Sequence, residues 1–147
     1  MIPLTYNELL GVFETMATNH FQIKRFGSGV LEDINTFGPT SGEFPILWVV
    51  PQDVELGENS MIYRMRVLVF DIDDENDSHR TEILSDTLQI LNDIVQEVKN
   101  DDERYSVIGA PSAIPFNQRF VDYCTGWFAD VRIETAIMNS RCSVPSN

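Results

Sequence analysis

Apolar side chains recur three and four residues apart over two stretches of the chain and alternate with polar ones over several others. The first helical stretch opens on Thr5-Tyr6-Asn7-Glu8, where the Thr hydroxyl and the Glu carboxylate can each satisfy a free backbone N–H. Leu9, Leu10, Phe13, Met16 and Ala17 follow at helical spacing, so the pattern predicts a helix over about 5–18. Phe21 to Phe26 alternates and reads as a strand ended by Gly27-Ser28-Gly29. Leu31 to Phe37 suits a short helix before Gly38, Pro39 and Gly42 break the chain. FPILWVV, residues 44–50, is apolar on both faces and reads as a buried strand stopped by Pro51. Residues 51–60 form a polar loop or hairpin tip, and MIYRMRVLVFDI, residues 61–72, forms a long strand pairing antiparallel with 44–50. Arg64 and Arg66 share a face in its first half, while its second half is apolar on both sides.

The second helical stretch is the more regular. Ile83, Leu84, Thr87, Leu88, Leu91, Ile94, Val95 and Val98 make one stripe, with Glu82, Asp86, Asp93 and Glu97 off it, which predicts an amphipathic helix over about 79–100. Residues 105–117 carry weak patterning. Arg119 to Cys124 and Trp127 to Ile137 read as two strands with a bulge or bend at Gly126. Trp127, Ala129, Val131 and Ile133 share one face of the last strand, and Asp130, Arg132 and Glu134 share the other. A polar tail runs from about 139. The order of elements predicts one α+β domain over 1–147: a mainly antiparallel mixed sheet packed by the long helix, with a second helix at the N-terminus.

Composition changes this picture at one point. Ten Lys and Arg face 23 Asp and Glu, a formal net charge of −13. Such a surface repels phosphate and speaks against a protein that grips nucleic acid. Simple solubility and a surface that DNA must pass without sticking both fit. Two cysteines, Cys124 and Cys142, are too few for a disulfide scaffold. No apolar run is long enough to span a membrane, and the opening MIPLTYNELL lacks a basic start and a long apolar core, so no signal peptide or membrane partner is expected.

One segment holds candidate chemistry: DIDDENDSHRTE, residues 71–82. Asp71, Asp73, Glu75 and Glu82 fall at calcium-loop positions 1, 3, 5 and 12, but position 6 is Asn76 where Gly belongs, and a strand precedes the loop where a helix should. VLVFDID also resembles the nucleophile loop of haloacid-dehalogenase-like phosphatases, in which Asp71 and Asp73 would work with magnesium. The expected Thr is replaced by Glu75, and only one long helix follows where several strand–helix units are needed. The third reading is a strand-to-helix connection in which Asp77 or Ser78 caps the helix and the other acids favour its positive end. It accounts for position, polarity and the helix that follows, so no metal, cofactor or catalytic residue is expected. Gly-rich phosphate loops, dinucleotide fingerprints and Ser nucleophile elbows are missing from the sequence.

The run MIYRMRVLVFDIDDENDSHRTEILSDTLQILNDIV, then IPFNQRFVDYCTGWFADVRIE and a closing CSVP, resembles small structural proteins of tailed bacteriophages. A strand, an acidic loop, a helix carrying Ser85-Asp86, and an aromatic strand with Gly126-Trp127 make up the pattern, which is similar to the tail-terminator or tail-completion family of neck proteins over about residues 44–144. The resemblance implies a virion structural protein, not an enzyme. Its subunits would form a homo-oligomeric ring, hexameric or dodecameric, at the head–tail junction. The ring would join connector or portal to tail proteins, pass DNA without specific binding, and be built in the host cytoplasm before residing in the virion. Candidate subunit contacts are Gln52, Asp53, Glu55 and Glu58 in the 51–60 loop and Asp130, Arg132 and Glu134 on the polar face of the last strand. Two other functions stay open: an acidic adaptor or decoy that binds a host protein, and the magnesium-dependent phosphatase at Asp71 and Asp73.

Overall fold

The computed structural model describes residues 4–30, 33–34, 44–73, 78–100, 104–119 and 123–136. Helix α1, Tyr6–Asn19, starts at the expected capping box. Thr5 Oγ1 accepts from Glu8 N at 3.1 Å, and Glu8 Oε1 accepts from Thr5 N at 3.2 Å. Strand β1, Arg25–Ser28, leads to the long hairpin of β2, Ile46–Leu56, and β3, Ser60–Ile72. Helix α2, Arg80–Lys99, crosses back over the sheet, and β4, Ser106–Ile108, β5, Ala113–Arg119, and β6, Tyr123–Ala136, complete it. The order is β1-β2-β3-β6-β4, with β5 on the same side of β6 as β4. Among the described residues only the β1–β2 pair is parallel. The chain is a single α+β domain.

Strand β3 sits at the centre, antiparallel to β2 on one side and to β6 along its whole length on the other. Its alternation sorts the molecule into layers. Tyr63, Met65, Val67 and Val69 face the helices, where they meet Leu9, Phe13, Ile90, Leu91 and Ile94. Leu68 and Phe70 face away, into a second cluster with Ile46, Trp48, Val50, Phe44, Ile34 and Cys124. Among the described residues that second layer covers only half of the outer face. Where it stops, β3 presents Arg64 and Arg66 instead. Each large apolar side chain so enclosed stabilises the fold by roughly 1.5–3 kcal/mol. Trp127 Nε1 donates to Leu84 O at 2.7 Å and ties β6 to α2.

The structure corrects several expectations. The strand placed at 21–26 is β1 at 25–28, because a turn at 21–22 follows α1 and the glycine stretch itself enters the sheet beside β2. Pro51 does not stop β2. Among the described residues pairing with β1 ends at Val49 and no other strand lies beside Pro51 on that side, so its missing N–H leaves no partner unmet there. Residues 51–56 are therefore strand, and the turn of the hairpin is confined to 57–59. The weakly patterned stretch contains β4 and most of β5, a broken edge whose residues are mostly exposed and so show no core periodicity. The two strands divided at Gly126 are one continuous β6, and 119 belongs to β5. On α2, Ile90 is buried and Leu88 exposed; the buried arc lies slightly to one side of the predicted stripe. The short helix placed at 31–37 lies almost wholly outside the described residues, as does the tail from 139.

Gly126 is required by closeness of backbones rather than by a bend. A Cβ there would stand 2.0 Å from Val69 O and 2.7 Å from Phe70 Cα on β3. Gly11, inside α1, has nothing within 4 Å of the same atom. Gly126→Ala is therefore expected to destabilise the protein by about 3 kcal/mol or more, since neither backbone can yield. Gly11→Ala should stabilise it by about 0.5–1 kcal/mol. Urea denaturation of both variants checks the pair; a Gly126→Ala protein as stable as the parent would refute the close approach.

Candidate assembly surfaces

The residues expected at subunit contacts come together on the uncovered half of the sheet. The register sets Asp53 beside Arg64, Arg64 beside Arg132, and Arg66 beside Asp130. Arg64 Nε donates to Asp53 Oδ1 at 2.7 Å and its Nη2 donates to Asp53 Oδ2. Arg66 grips Asp130 in the same two-pronged way at 2.8 and 3.2 Å, with its guanidinium 4.4 Å from the centre of the Phe128 ring. Arg132 lies 3.6 Å from Glu55, and Ser60 Oγ donates to Glu134 at 3.1 Å. The Arg64 hydrogen bond holds the Asp53 carboxyl below its usual range, and the Asp130 bond lifts Arg66. Paired bidentate contacts of this kind fix geometry more than they add stability at an exposed site. Gln52 stands apart as the extra residue of a bulge between Pro51 and Asp53, and Glu58 sits in the hairpin turn. The sequence shows Arg64 and Arg66 on one face but not their partners, because Asp53 reaches Arg64 only through the bulge at Gln52 and Asp130 reaches Arg66 only through the β3–β6 register.

The helix-side face of the same hairpin is apolar. Val54 and Leu56 project there, and Leu56 is 79% exposed. Beside them a cleft of about 300 Å³ is lined by Tyr6, Pro51, Val54, Tyr63 and Met65, with the Asp53–Arg64 pair at its edge. Tyr6 and Tyr63 stack with centroids 6.3 Å apart, and Tyr63 Oη donates to Leu4 O at 3.4 Å. Burial first and the nearby Glu8 charge second push the Tyr63 phenol up, which sets Glu8 close to this cleft.

The other end of α1 carries a second feature. His20 Nε2 meets Asp93 Oδ2 of α2 at 2.9 Å, and its Nδ1 accepts from Gln22 N at 3.2 Å. The His20 ring stacks on Phe21 at 5.7 Å and 9°, and Phe21 is 85% exposed. No signal in the sequence distinguishes Phe21, which the alternation places at the first position of a strand.

The acidic segment is described at 71–73 and 78–82. Asp71 is the penultimate residue of β3, and its Oδ1 accepts from Ile72 N at 2.7 Å. Asp73 is buried, and its Oδ1 accepts from His79 N at 3.2 Å. The N-cap position of α2 is His79, whose side chain makes no capping bond, so the expected cap at Ser78 is displaced; Asp77 and Glu75 lie outside the described residues. Asp73 serves the helix start from six residues upstream. Glu82 is exposed in the first turn of α2. Among the described residues no group of three or more His, Cys, Asp or Glu could hold a metal ion. β3 is antiparallel to both neighbours, unlike the strand that carries a phosphatase loop in a parallel sheet. Burial is the main cause of a raised Asp71 carboxyl, with the charges of Asp86 and Asp73 adding to it against the Ile72 bond. Among the described residues no helix is long and apolar enough to cross a membrane. A scan of family models finds no match to this chain, and a search of curated proteins finds none either.

A raised folded-state carboxyl stabilises the fold at low pH and loses that contribution as pH rises through its folded value. Asp71→Asn keeps an acceptor for Ile72 N and removes the buried charge. The variant is expected to melt above the parent at pH 7, with the gap closing toward about pH 3, where both side chains are neutral. Thermal melts across this range check it; a gap that widens on acidification would reverse the assignment. Calorimetric titration with calcium should give no saturable heat in the micromolar range. Saturable binding lost in Asp71→Asn would restore the metal reading.

Proposed function

We propose that this chain is a ring-forming structural subunit at the head–tail junction of a tailed bacteriophage, of the tail-terminator or tail-completion kind. The observation that carries the reading is the outer half of the β2–β3 hairpin. Pro51 to Leu56 continues β2 past the bulge at Gln52, yet every residue in it is exposed. Among the described residues this edge arm has a strand neighbour, β3, on one side only, and an exposed sheet edge gains from pairing with a partner surface. Its two faces differ as an interface arm's should, with apolar Val54 and Leu56 on one and the arginine–carboxylate lattice on the other. Charges already paired can be desolvated at a contact with less loss than lone ones. The likeness of the strand–acidic loop–helix–aromatic strand pattern to neck proteins supplies the class. A charge of −13 suits a passage through which DNA slides without adhering.

A second reading has its own support. Glu82, Asp86, Asp93 and Glu97 are all exposed on α2, a face that fits an acidic adaptor or decoy binding a basic host protein. Such a protein would stay small and bind in a salt-dependent way.

Light scattering with negative-stain imaging over a concentration series separates the two. Rings with an open centre, of six or twelve subunits, are the expected outcome, and a monomer at every concentration favours the adaptor. Leu56→Asp should abolish the rings while leaving the Tm within about 3 °C, as befits a surface position. Rings that persist in Leu56→Asp would remove the arm from the interface.

A further inference from the structure

Two apolar features that the core does not use lie at opposite ends of one helix. The cleft beside Tyr6 flanks the start of α1, and Phe21 stands two residues past its end. Fourteen helical residues at 1.5 Å each set them about 20 Å apart. Phe21 is held in place before any partner arrives: its ring rests on His20, which is itself fixed by Asp93 and by the Gln22 amide. A rigid, exposed aromatic forfeits little side-chain freedom on burial, the property of an interface anchor. The cleft has the complementary shape and chemistry. At about 300 Å³ it exceeds the roughly 150 Å³ that suffices for a benzene ring.

Charge agrees with shape. Lys24 is exposed three residues from Phe21, and the Asp93 carboxylate nearby is held by His20. Glu8 lies near the cleft and Glu58 is exposed in the hairpin turn, while the Asp53–Arg64 and Glu55–Arg132 pairs each neutralise themselves. In a chain with ten cations against 23 anions, a basic knob at one end and an acidic socket at the other is not the even spread expected of solubilising charge.

We propose that Phe21 of one copy inserts into the cleft formed by Tyr6, Val54, Tyr63 and Met65 of a second copy of this chain. This rests on the ring reading above and names its contact. A knob and a socket on different surfaces make a head-to-tail interface, which closes as a ring when the rotation between copies closes and otherwise runs on as a filament. A two-fold dimer would need each patch to meet itself and is not what this geometry builds.

The test uses two surface variants of the full chain. Phe21→Glu removes the knob and Val54→Glu spoils the socket. Each is expected to weaken self-association by about 30-fold or more by analytical ultracentrifugation, with an unchanged Tm. Phe21→Leu, which keeps an apolar knob, should assemble measurably better than Phe21→Glu. Mixed one to one, the Glu variants retain one intact socket and one intact knob between them, so the mixture should give heterodimers and nothing larger. Wild-type rings together with Phe21→Glu rings of equal stability would overturn this contact and leave the ring reading standing. A wild-type chain that never exceeds a monomer would overturn both, and a mixture that rebuilds complete rings would overturn the one-knob, one-socket arrangement.

Discussion

Everything in this fold hangs on the pairing of β3 with β6. The two strands face each other from Ser60 opposite Ala136 to Ile72 opposite Cys124, and at Gly126 their backbones come too close for any side chain. That contact sets the register, and register decides which residues of each strand turn inward. It places Met65 and Val67 of β3 under the helices together with Ala129, Val131 and Ile133 of β6, and it brings Asp130 against Arg66 on the far side. Moving either strand by one residue would bury the arginines and expose the core. The helices are accessories to this arrangement. α2 lies where the strand pair offers an apolar face, fastened by Trp127, and α1 packs beside it near β1.

The outer face of the sheet shows how one strand can serve two environments. From Leu68 onward β3 faces the Trp48 and Phe70 cluster; before it, the same side of the strand carries guanidinium groups. The change follows the extent of the second layer and not a change in strand geometry. Half of the sheet is thereby committed to the monomer, and half is left in water with its charges matched in place.

Much of this was legible in the sequence, and the parts that were not share a cause. The two helices, the central strand and the apolar face of β6 could be read because burial there is one-sided and leaves a clear period. The capping box at Thr5 and Glu8 was legible because it is local. Pro51 misled because a proline breaks a strand only where its N–H is needed, and sequence does not say which strand edge is free. β4 and β5 were missed because edge residues face water and carry no alternation. Of the candidate surface, the charged residues were visible and their pairing was not, since Asp53 and Arg64 or Arg66 and Asp130 meet only through register. Phe21 and the cleft beside Tyr6 gave no sign at all, because an exposed aromatic and a core aromatic look alike in one dimension. In the acidic segment Asp73 reaches forward to start a helix, a role that spacing to His79 alone does not reveal.

The two tryptophans divide between the two layers. Trp48 is enclosed in the outer cluster with its Nε1 donating to Gly29 O at 3.1 Å, and Trp127 lies between β6 and α2. The chain thus carries one fluorescent reporter on each side of its sheet. Loosening of the outer layer reddens the emission of Trp48 while Trp127 stays bound to its helix carbonyl, and detachment of α2 does the reverse. Replacing one tryptophan by phenylalanine leaves a reporter for the other face alone, with no label attached.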